Sequence, residues 1–232
     1  ARTLAGNARE KKAVEMAEAG LRCAELFISI WNDIGTFEFQ RANRTRETLK
    51  AFVEEKAAIT TPPSWFHERY AFSQYFESFI GRTVVGGAQI LNDGGKILVK
   101  LPDLWQFAKD EQLVGVKEGW FKPEYDTSSW TNLATFSKSW GDQGLEHYLK
   151  DAWYRTKFTA PADVTGDLRL WFGGFDENVD AYLNGVSLGE KKGFARPAEY
   201  TDIAKHIKPG ENVLAVRVSA GALAELGTGG IM

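Results

Sequence analysis

The segment WFGGFDENVDAYLNGVSLGE, residues 171–190, places an indole close to several carboxylate and amide side chains. A pyranose presents one apolar face of C–H groups and a rim of hydroxyls, so a flat aromatic ring beside polar groups suits a sugar-binding surface. The candidates here are Trp171, Asp176, Glu177 and Asn178. The same side chains would also suit a cation site or a turn held by Asx hydrogen bonds, and the three interpretations remain open at this point.

A second set of candidates lies in the segment AWYRTKF, residues 152–158. Side chains alternate between the two faces of a strand, which puts Trp153 and Arg155 together, opposite Tyr154. In DLRLWFGG, residues 167–174, the same rule separates Trp171 from the leucines. If the two strands are neighbours, Trp153, Arg155 and Trp171 form one surface, and Arg196 lies in a loop that borders it. The alternative is that the helical half of the chain covers this face and buries the tryptophans.

The residue types for other chemistry are present without the spacing that this chemistry needs. Glycoside hydrolysis uses two carboxylates at a defined separation on an enclosing scaffold, and acidic residues are too common here for a pair to be informative. His67, His147 and His206 are scattered, which argues against a zinc site, and Cys23 has no second cysteine to pair with. We therefore expect no cofactor, although the alternate oxygens of residues 176–180 leave calcium open.

Composition limits the partners of the chain. Of its 232 residues 44% are hydrophobic and 25% are charged, as in ordinary globular proteins. The net charge of −3 gives no electrostatic attraction for a nucleic acid, and no apolar run approaches the roughly 20 residues that span a bilayer. We expect neither nucleic acid nor membrane as a partner. The first residues lack an initiator Met and an apolar signal sequence, which suggests a segment of a longer protein.

The first third of the chain has a helical period. Apolar residues recur at three- and four-residue spacing from Ala8 onward. A second helix is expected from near Asn43, capped by Asn43 or Thr45, to Pro62-Pro63, and a third from Ser64 to near Gly81. The stripe expected to face the core of the first helix consists of Val14, Ala17, Leu21, Ala24, Ile28 and Trp31.

After Gly86-Gly87 the period changes to two. Short alternating segments occur at residues 95–102, 152–161, 167–174, 178–185 and 212–220, and Asn184-Gly185 is typical of a type I′ hairpin turn. The intervening stretch of about 50 residues must be partly structured, with its tryptophans pinning it to the sheets. The predicted fold class is α+β: a helical region of about three helices, residues 1–82, followed by an antiparallel jelly-roll β-sandwich, residues 83–232.

The order of several short motifs resembles a known domain. LPDLWQFAKD, GWFKPEYDTSSW, AWYRTKFTAP, LWFGGFDENVDAYLNGVSLGE, YTDIAKHIKPGENVLAVRV and GTGGIM, between residues 96 and 232, are similar to the sugar-binding, galactose-binding-domain-like β-sandwich of family 2 glycoside hydrolases and related accessory modules. In such domains one more strand follows the Gly-Gly-Ile stretch, and here it would lie beyond Met232. The helical region resembles that of large bacterial glycosidase-like proteins.

The resemblance implies a non-catalytic carbohydrate-binding or accessory module of a larger glycoside hydrolase-like protein. Its partners would be an oligo- or polysaccharide and a neighbouring catalytic domain, because family 2 enzymes carry their catalytic glutamates in a separate barrel. A purely structural spacer is the alternative, and a fragment that lends loop residues to a glycosidase active site is a third. The resemblance further implies a periplasmic or extracellular location, and we expect no enzyme activity from this segment alone.

Overall fold

The computed structural model describes residues 6–60, 76–77, 80–162, 166–175, 178–193 and 196–219. The chain divides into two compact units, residues 1–95 and residues 96–232. The first unit is helical and the second contains all the described strands. The predicted α+β class is confirmed.

The helical unit contains α1 (Ala8–Gly35), α2 (Phe39–Thr60) and α3 (Arg82–Asn92). Helix α1 packs against α2, and α2 packs against α3. Helix α2 ends two residues before Pro62, as expected, but it begins at Phe39. Asn43 and Thr45 therefore lie inside the helix, and the prediction that one of them caps it is wrong. The third predicted helix lies largely outside the described residues.

Helix α1 does not bury the stripe expected from the sequence. Leu21 is 64% exposed and Ile28 is 57% exposed, whereas Ile30 is fully buried. Both sides of α1 carry apolar residues. Residues i and i+2 of a helix, such as Ile28 and Ile30, point about 200° apart around its axis. The helical period alone therefore could not show which side is buried. The Asp33–Arg41 ion pair, 2.7 Å from Oδ1 to Nη2, joins α2 to the side of α1 that is buried. The buried residues of α1 are Ala19, Leu26, Ile30, Asp33 and Ile34.

The helical period continues through Gly86-Gly87, which was expected to end it. Both glycines lie inside α3, and the helical unit extends to Gly95, past the boundary expected at residue 82. A Cβ added at Gly87 would stand 2.5 Å from the ring of Phe39. Gly87 therefore allows close packing of α3 on α2, and the glycine pair does not mark a turn.

The second unit is a β-sandwich of two antiparallel sheets. One sheet has six strands in the order β2-β1-β3-β8-β5-β6, and the other pairs β4 with β7. A short helix, α4 (Gly115–Glu118), follows β1. The strands are β1 (Leu104–Lys109), β2 (Thr131–Ala134), β3 (Asp151–Ala160), β4 (Leu170–Phe172), β5 (Asn178–Leu183), β6 (Val186–Lys192), β7 (Ala198–Tyr200) and β8 (Gly210–Ser219).

Four of the five predicted strands are present as β3, β4, β5 and β8, and the first is wrong. Residues 95–102 have no regular structure, with Leu98 52% exposed, and β1 begins only at Leu104. Asp103 explains this start, because its Oδ1 accepts a hydrogen bond from the Phe136 N–H at 2.7 Å and its carbonyl accepts one from the Thr135 N–H at 2.9 Å. These bonds join β1 to β2 inside the stretch that was expected to be partly structured.

The core lies between the two sheets and is rich in aromatic rings. The phenol oxygen of Tyr154 accepts a hydrogen bond from Trp140 Nε1 at 2.5 Å, and the ring of Phe107 packs edge-on against Tyr154 at 5.1 Å. Phe172 and Tyr200 close the core from the smaller sheet. The burial of Trp140 and Trp105 shows how part of the long aromatic stretch is held to the sandwich.

The β5–β6 hairpin has the turn that its sequence predicts. Asn184 and Gly185 have φ values of 51° and 84°, both positive as a type I′ turn requires. The Asn184 side chain also accepts from the Val213 N–H at 3.0 Å and donates to Asn212 Oδ1 at 2.7 Å. The hairpin is thereby tied to β8.

Within the described residues, none of the helices combines the length and the apolar character needed to cross a bilayer.

Candidate carbohydrate-binding surfaces

The structure separates the residues that were expected to form one sugar-binding surface. Trp153 and Arg155 lie on β3, which pairs with β1 and β8 in the six-stranded sheet. Trp171 lies on β4, which pairs with β7 in the other sheet. The prediction of a single surface is therefore wrong, because it required β3 and β4 to be neighbours.

The remaining candidates are spread over the same unit. Asn178 begins β5, where it is half-buried and lies opposite Ser219 of β8. Arg196 is exposed just before β7. Asp176 and Glu177 lie outside the described residues, so the proposal that they contact a ligand remains a prediction.

The outer face of the six-stranded sheet carries a layer of stacked rings over Trp153. Trp153 is fully buried, and the rings of Phe121 and Tyr182 lie 6.4 and 5.6 Å from it. Phe121 and Tyr182 stack on each other at 4.5 Å with an interplanar angle of 17°. These covering rings belong to the β unit itself, whereas the alternative drawn from the sequence was that the helical half covers this face.

Asp110 anchors this layer from below. Its Oδ2 accepts hydrogen bonds from Trp153 Nε1 at 3.0 Å and from the Gly115 N–H at 2.9 Å, while Oδ1 accepts one from the Val114 N–H at 2.8 Å. Asp110 is 2% exposed, and both of its carboxylate oxygens accept hydrogen bonds. A Cβ at Gly115 would stand 2.3 Å from Trp153 Nε1, so this approach requires glycine. Sequence reasoning missed Asp110, whose only signal is its place five residues before the start of a short helix.

Arg155 holds a loop and does not face solvent. Its Nη1 donates to the carbonyl of Trp120 at 2.9 Å and its Nη2 to the carbonyl of Pro123 at 2.7 Å, and the residue is 3% exposed. Burial lowers the pKa of Arg155, while the nearby Glu124 and Tyr125 act in the opposite direction. In this structure Arg155 positions the loop at residues 120–123, and the guanidinium is already occupied.

A row of charged side chains runs beside the stacked rings. Arg217 of β8 lies opposite Trp153 on one side and Asp180 of β5 on the other. It bonds to Asp180 through Nη2 and approaches Asp151 Oδ2 at 3.7 Å through Nη1. Burial acts to lower the pKa of Arg217, but the two aspartates outweigh it and the pKa is raised. Alternation in NVLAVRVSA could have placed Arg217 on this face, but nothing in the sequence marked its partners.

The outer face of the β4–β7 sheet carries a different arrangement. Trp171 lies directly opposite Glu199, and side chains in that relation share one face of the sheet. Arg169, two residues before Trp171, donates to Glu199 Oε1 at 2.9 Å and to Asp167 Oδ2 at 2.7 Å. Leu168 and Phe172 point the other way into the core, as the alternation predicts. The pKa of Arg169 is raised by Glu199 and Asp167.

Trp171 is half-buried, so part of its ring is accessible beside a guanidinium and a carboxylate. Two acidic partners hold the guanidinium in place before any ligand arrives. This arrangement can present an apolar ring face and polar groups of both signs to a polyhydroxylated molecule. We name the set Trp171, Arg169 and Glu199 the edge surface.

The structure offers no test of the calcium interpretation. Among the described residues no three His, Cys, Asp or Glu side chains are placed to hold a metal ion. The segment that raised the question, residues 176–180, is described only from Asn178 onward. Calcium there stays a prediction.

Several solved structures are similar to part of this chain. Beta-glucuronidase from Ruminococcus gnavus in complex with uronic isofagomine is 26% identical over 53% of this chain and 21% of that protein, with a TM-score of 0.46. Beta-glucuronidase from an uncultured Clostridium species is 27% identical over 52% of this chain and 22% of its own, with a TM-score of 0.45. The matched segment thus spans about a fifth of those enzymes. A comparison with curated proteins gives no match.

A family model gives a broader match. Residues 98–224 match the model described as glycosyl hydrolases family 2, sugar binding domain. The match begins just before β1 and extends past β8, so it covers every described strand of the sandwich. It confirms the resemblance seen in the motifs between residues 96 and 232. Because the model covers more than half of the chain, the chain belongs to the glycosyl hydrolase family 2 through its sugar binding domain.

Proposed function

We propose that this chain is part of a longer family 2 glycoside hydrolase polypeptide, in which the β-sandwich is a non-catalytic carbohydrate-binding module. The family match supports the sugar-binding character of the domain. The edge surface is the observation that supports binding by particular residues. There, Trp171 lies opposite Glu199, and Glu199 accepts a hydrogen bond from Arg169. Catalysis would belong to a neighbouring domain of the same polypeptide.

The edge surface has the parts that bind a pyranose. The C–H face of the sugar would stack on the accessible part of the Trp171 ring, and its hydroxyls would bond to Arg169 and Glu199. The Arg169–Glu199 ion pair, at 2.9 Å, fixes both polar groups before binding and so reduces the entropy lost on association.

Arg196 and Asn178 are further candidates for contact with the sugar, but the proposal does not depend on them. Arg196 is exposed, and its Cδ lies 3.0 Å from where a Cβ of Gly193 would stand. Gly193 itself has a positive φ of 148°. Asn178 lies at the start of β5, next to the undescribed residues 176 and 177. In the proposal these residues border the saccharide and add selectivity.

A structural brace is the second candidate. The observation that favours it is the complete burial of Trp153 under rings of its own unit, since much of the aromatic content is thereby used for packing. In that case the sandwich would support a catalytic domain and would bind no sugar. A loop lent to a neighbouring active site is a third role, and its candidate residues, Asp176 and Glu177, lie outside the described part.

Isothermal titration of the full chain with a panel of neutral and acidic oligosaccharides tests the proposal. We expect binding by the unmodified chain and a loss of roughly two- to tenfold in affinity on Trp171→Ala, from the lost stacking. Trp31→Ala is the matched control, because Trp31 is also a half-buried tryptophan but lies in the helical unit. Its affinity should be unchanged.

Two negative results would contradict the proposal. If the unmodified chain binds no saccharide across the panel, the brace replaces the binding module. If Trp171→Ala and Trp31→Ala both bind as the unmodified chain does, the edge surface is not the site.

A further inference from the structure

Tryptophans of the β unit fall into two groups by accessibility. Trp105, Trp140 and Trp153 are 3%, 1% and 0% exposed. The indole N–H groups of Trp140 and Trp153 donate to buried acceptors, and that of Trp105 donates to the carbonyl of Pro102, just before β1. Trp120, Trp130 and Trp171 are only half-buried. The indole of Trp120 donates to Glu118 Oε2 at 2.8 Å, and Glu118 is exposed, so this hydrogen bond lies at the surface.

Trp120 and Trp130 form a compact cluster with Tyr125. The ring centroids of Trp120 and Trp130 are 5.6 Å apart, those of Trp120 and Tyr125 are 6.1 Å apart, and those of Tyr125 and Trp130 are 6.2 Å apart. All three rings are partly accessible. We name Trp120, Tyr125 and Trp130 the ring cluster. Its Trp120 ring packs edge-on against Trp153 of the six-stranded sheet at 6.2 Å, whereas Trp171 lies in the other sheet.

The ring cluster is held in place before any ligand binds. Arg155, itself 3% exposed, donates to the carbonyls of Trp120 and Pro123. The Thr127 hydroxyl donates to Gln106 Oε1 at 2.8 Å, which ties the following turn to β1. A surface whose rings are fixed by buried hydrogen bonds loses little entropy on binding.

The charges around the ring cluster restrict the class of ligand. The pKa of Tyr125 is raised, first by burial and then by the carboxylates of Glu118 and Asp126, while the buried Arg155 acts to lower it. The Glu118 carboxylate is in direct contact with the cluster, because it accepts the Trp120 indole N–H at 2.8 Å. Carboxylates so close to the rings accept hydrogen bonds from sugar hydroxyls and repel a uronate. Accessible rings with an acidic rim match the C–H faces and hydroxyls of a neutral pyranose.

From these contacts we propose that the ring cluster is a second saccharide-binding platform, separate from the edge surface, that takes neutral pyranosides and is positioned by Arg155. The proposal rests on the carbohydrate-binding function proposed above. It assigns to Arg155 a positioning role in place of the direct sugar contact expected from the sequence.

The test is ¹⁹F NMR of the full chain labelled with 5-fluorotryptophan, with each resonance assigned by a Trp→Phe variant. We expect neutral oligosaccharides to shift the Trp120 and Trp130 resonances together, with one dissociation constant that differs from the constant reported by Trp171. An oligouronide should shift these two resonances less at equal concentration. The titration itself is made on the chain that keeps all its tryptophan positions, and the Trp→Phe variants serve only to assign the resonances.

Variants then separate the two surfaces. Trp130→Ala should weaken binding at the ring cluster by roughly two- to tenfold and leave the Trp171 titration unchanged. Trp171→Ala is the matched control and should leave the Trp120 titration unchanged. Arg155→Lys should move the Trp120 resonance in the absence of sugar, because lysine keeps the charge but lacks the planar fork with which the guanidinium spans the two carbonyls.

The outcomes distinguish this inference from the function on which it rests. If saccharides shift only the Trp171 resonance, the ring cluster is not a platform and the binding function stands. If the cluster responds more strongly to an oligouronide, the neutral class is wrong. If no tryptophan resonance responds to any saccharide, both proposals fail.

Discussion

The helical unit and the β-sandwich use their apolar residues in different ways. On α1, Leu21 and Ile28 are more than half exposed although they belong to a regular apolar stripe. On β3, Trp153 faces away from the sandwich core and is still fully buried, because rings of the same unit cover it. The comparison teaches that the sandwich closes both faces of its large sheet around β3, while α1 keeps a second apolar side exposed to solvent.

The two units also differ in how their buried polar groups are hydrogen-bonded. In the sandwich, the carboxylate of Asp110 accepts three hydrogen bonds and the side chain of Asn212 makes four. In the helical unit, Asp33 Oδ2 and Glu77 Oε1 are buried without a hydrogen-bond partner, and in the described part of the sandwich Arg217 Nε is in the same situation. An unsatisfied buried group costs stability, so each of these three atoms weakens the unit that contains it.

The largest expected effect comes from Trp153→Ala. The substitution removes a fully buried ring and leaves the carboxylate of Asp110 with one donor fewer, so we expect the free energy of unfolding of the sandwich to fall by about 3–5 kcal/mol. Denaturant unfolding followed by near-ultraviolet circular dichroism measures it. A loss below about 1 kcal/mol would mean that the outer layer of rings is not a second core, and the contrast with α1 would disappear.

The next effect compares two isoleucines on one helix. Ile30→Ala should destabilise the helical unit by about 2–4 kcal/mol, because Ile30 is fully buried. Ile28→Ala is the matched control and should change the free energy by less than about 0.5 kcal/mol, because Ile28 is 57% exposed. Equal losses at both positions would show that the apolar stripe of α1 is covered in solution.

A smaller effect is expected from Asn212→Ala in the sandwich. The side chain is fully buried and binds both the N–H and the carbonyl of Lys208 as well as the side chain of Asn184, so its loss should cost about 1–3 kcal/mol. Asn132→Ala, at an exposed position of β2, is the control and should be nearly neutral. Thermal unfolding of both variants measures the difference.

The smallest effect is the pH dependence contributed by Asp103. Burial acts to raise its pKa, but hydrogen bonds from Ser137, Phe136 and Thr135 outweigh burial and the pKa is lowered. A carboxyl group whose folded pKa is lowered contributes stability that is present above its unfolded pKa, about 3.9, and is lost as the pH falls through the folded value. Asp103→Asn should flatten the acid limb of the stability curve, whereas Glu146→Gln is the control at an exposed carboxylate. An unchanged acid limb in Asp103→Asn would contradict the assignment.

Local features of the sandwich were predictable from the sequence. The turn at Asn184-Gly185 followed from the two positive φ values that only a few residue types tolerate. The two faces of β3 and β4 followed from alternation, and the end of α2 followed from Pro62. Each of these depends on covalent geometry or on immediate neighbours along the chain.

Features that depend on distant partners were not predictable. Nothing in the segments of β3 and β4 shows that they belong to different sheets, so Trp153 and Trp171 were joined in one expected surface. Gly87 looks like a break until the ring of Phe39 is placed 2.5 Å from where its Cβ would stand. The candidate site changed accordingly. Trp171 is half-buried and stays a candidate for contact with a ligand, whereas Trp153 and Arg155 are buried and hold neighbouring residues in place.

The amino-acid sequence by itself determined the α+β class, the positions of four of the eight described strands, the hairpin turn and, through its ordered motifs, the family. Only the tertiary structure decided which side of α1 is buried, which strands are neighbours, and which aromatic rings reach solvent. The physical reason is that periodicity specifies which residues share a face, but burial of that face depends on the free energy of contacts with elements far away in the chain.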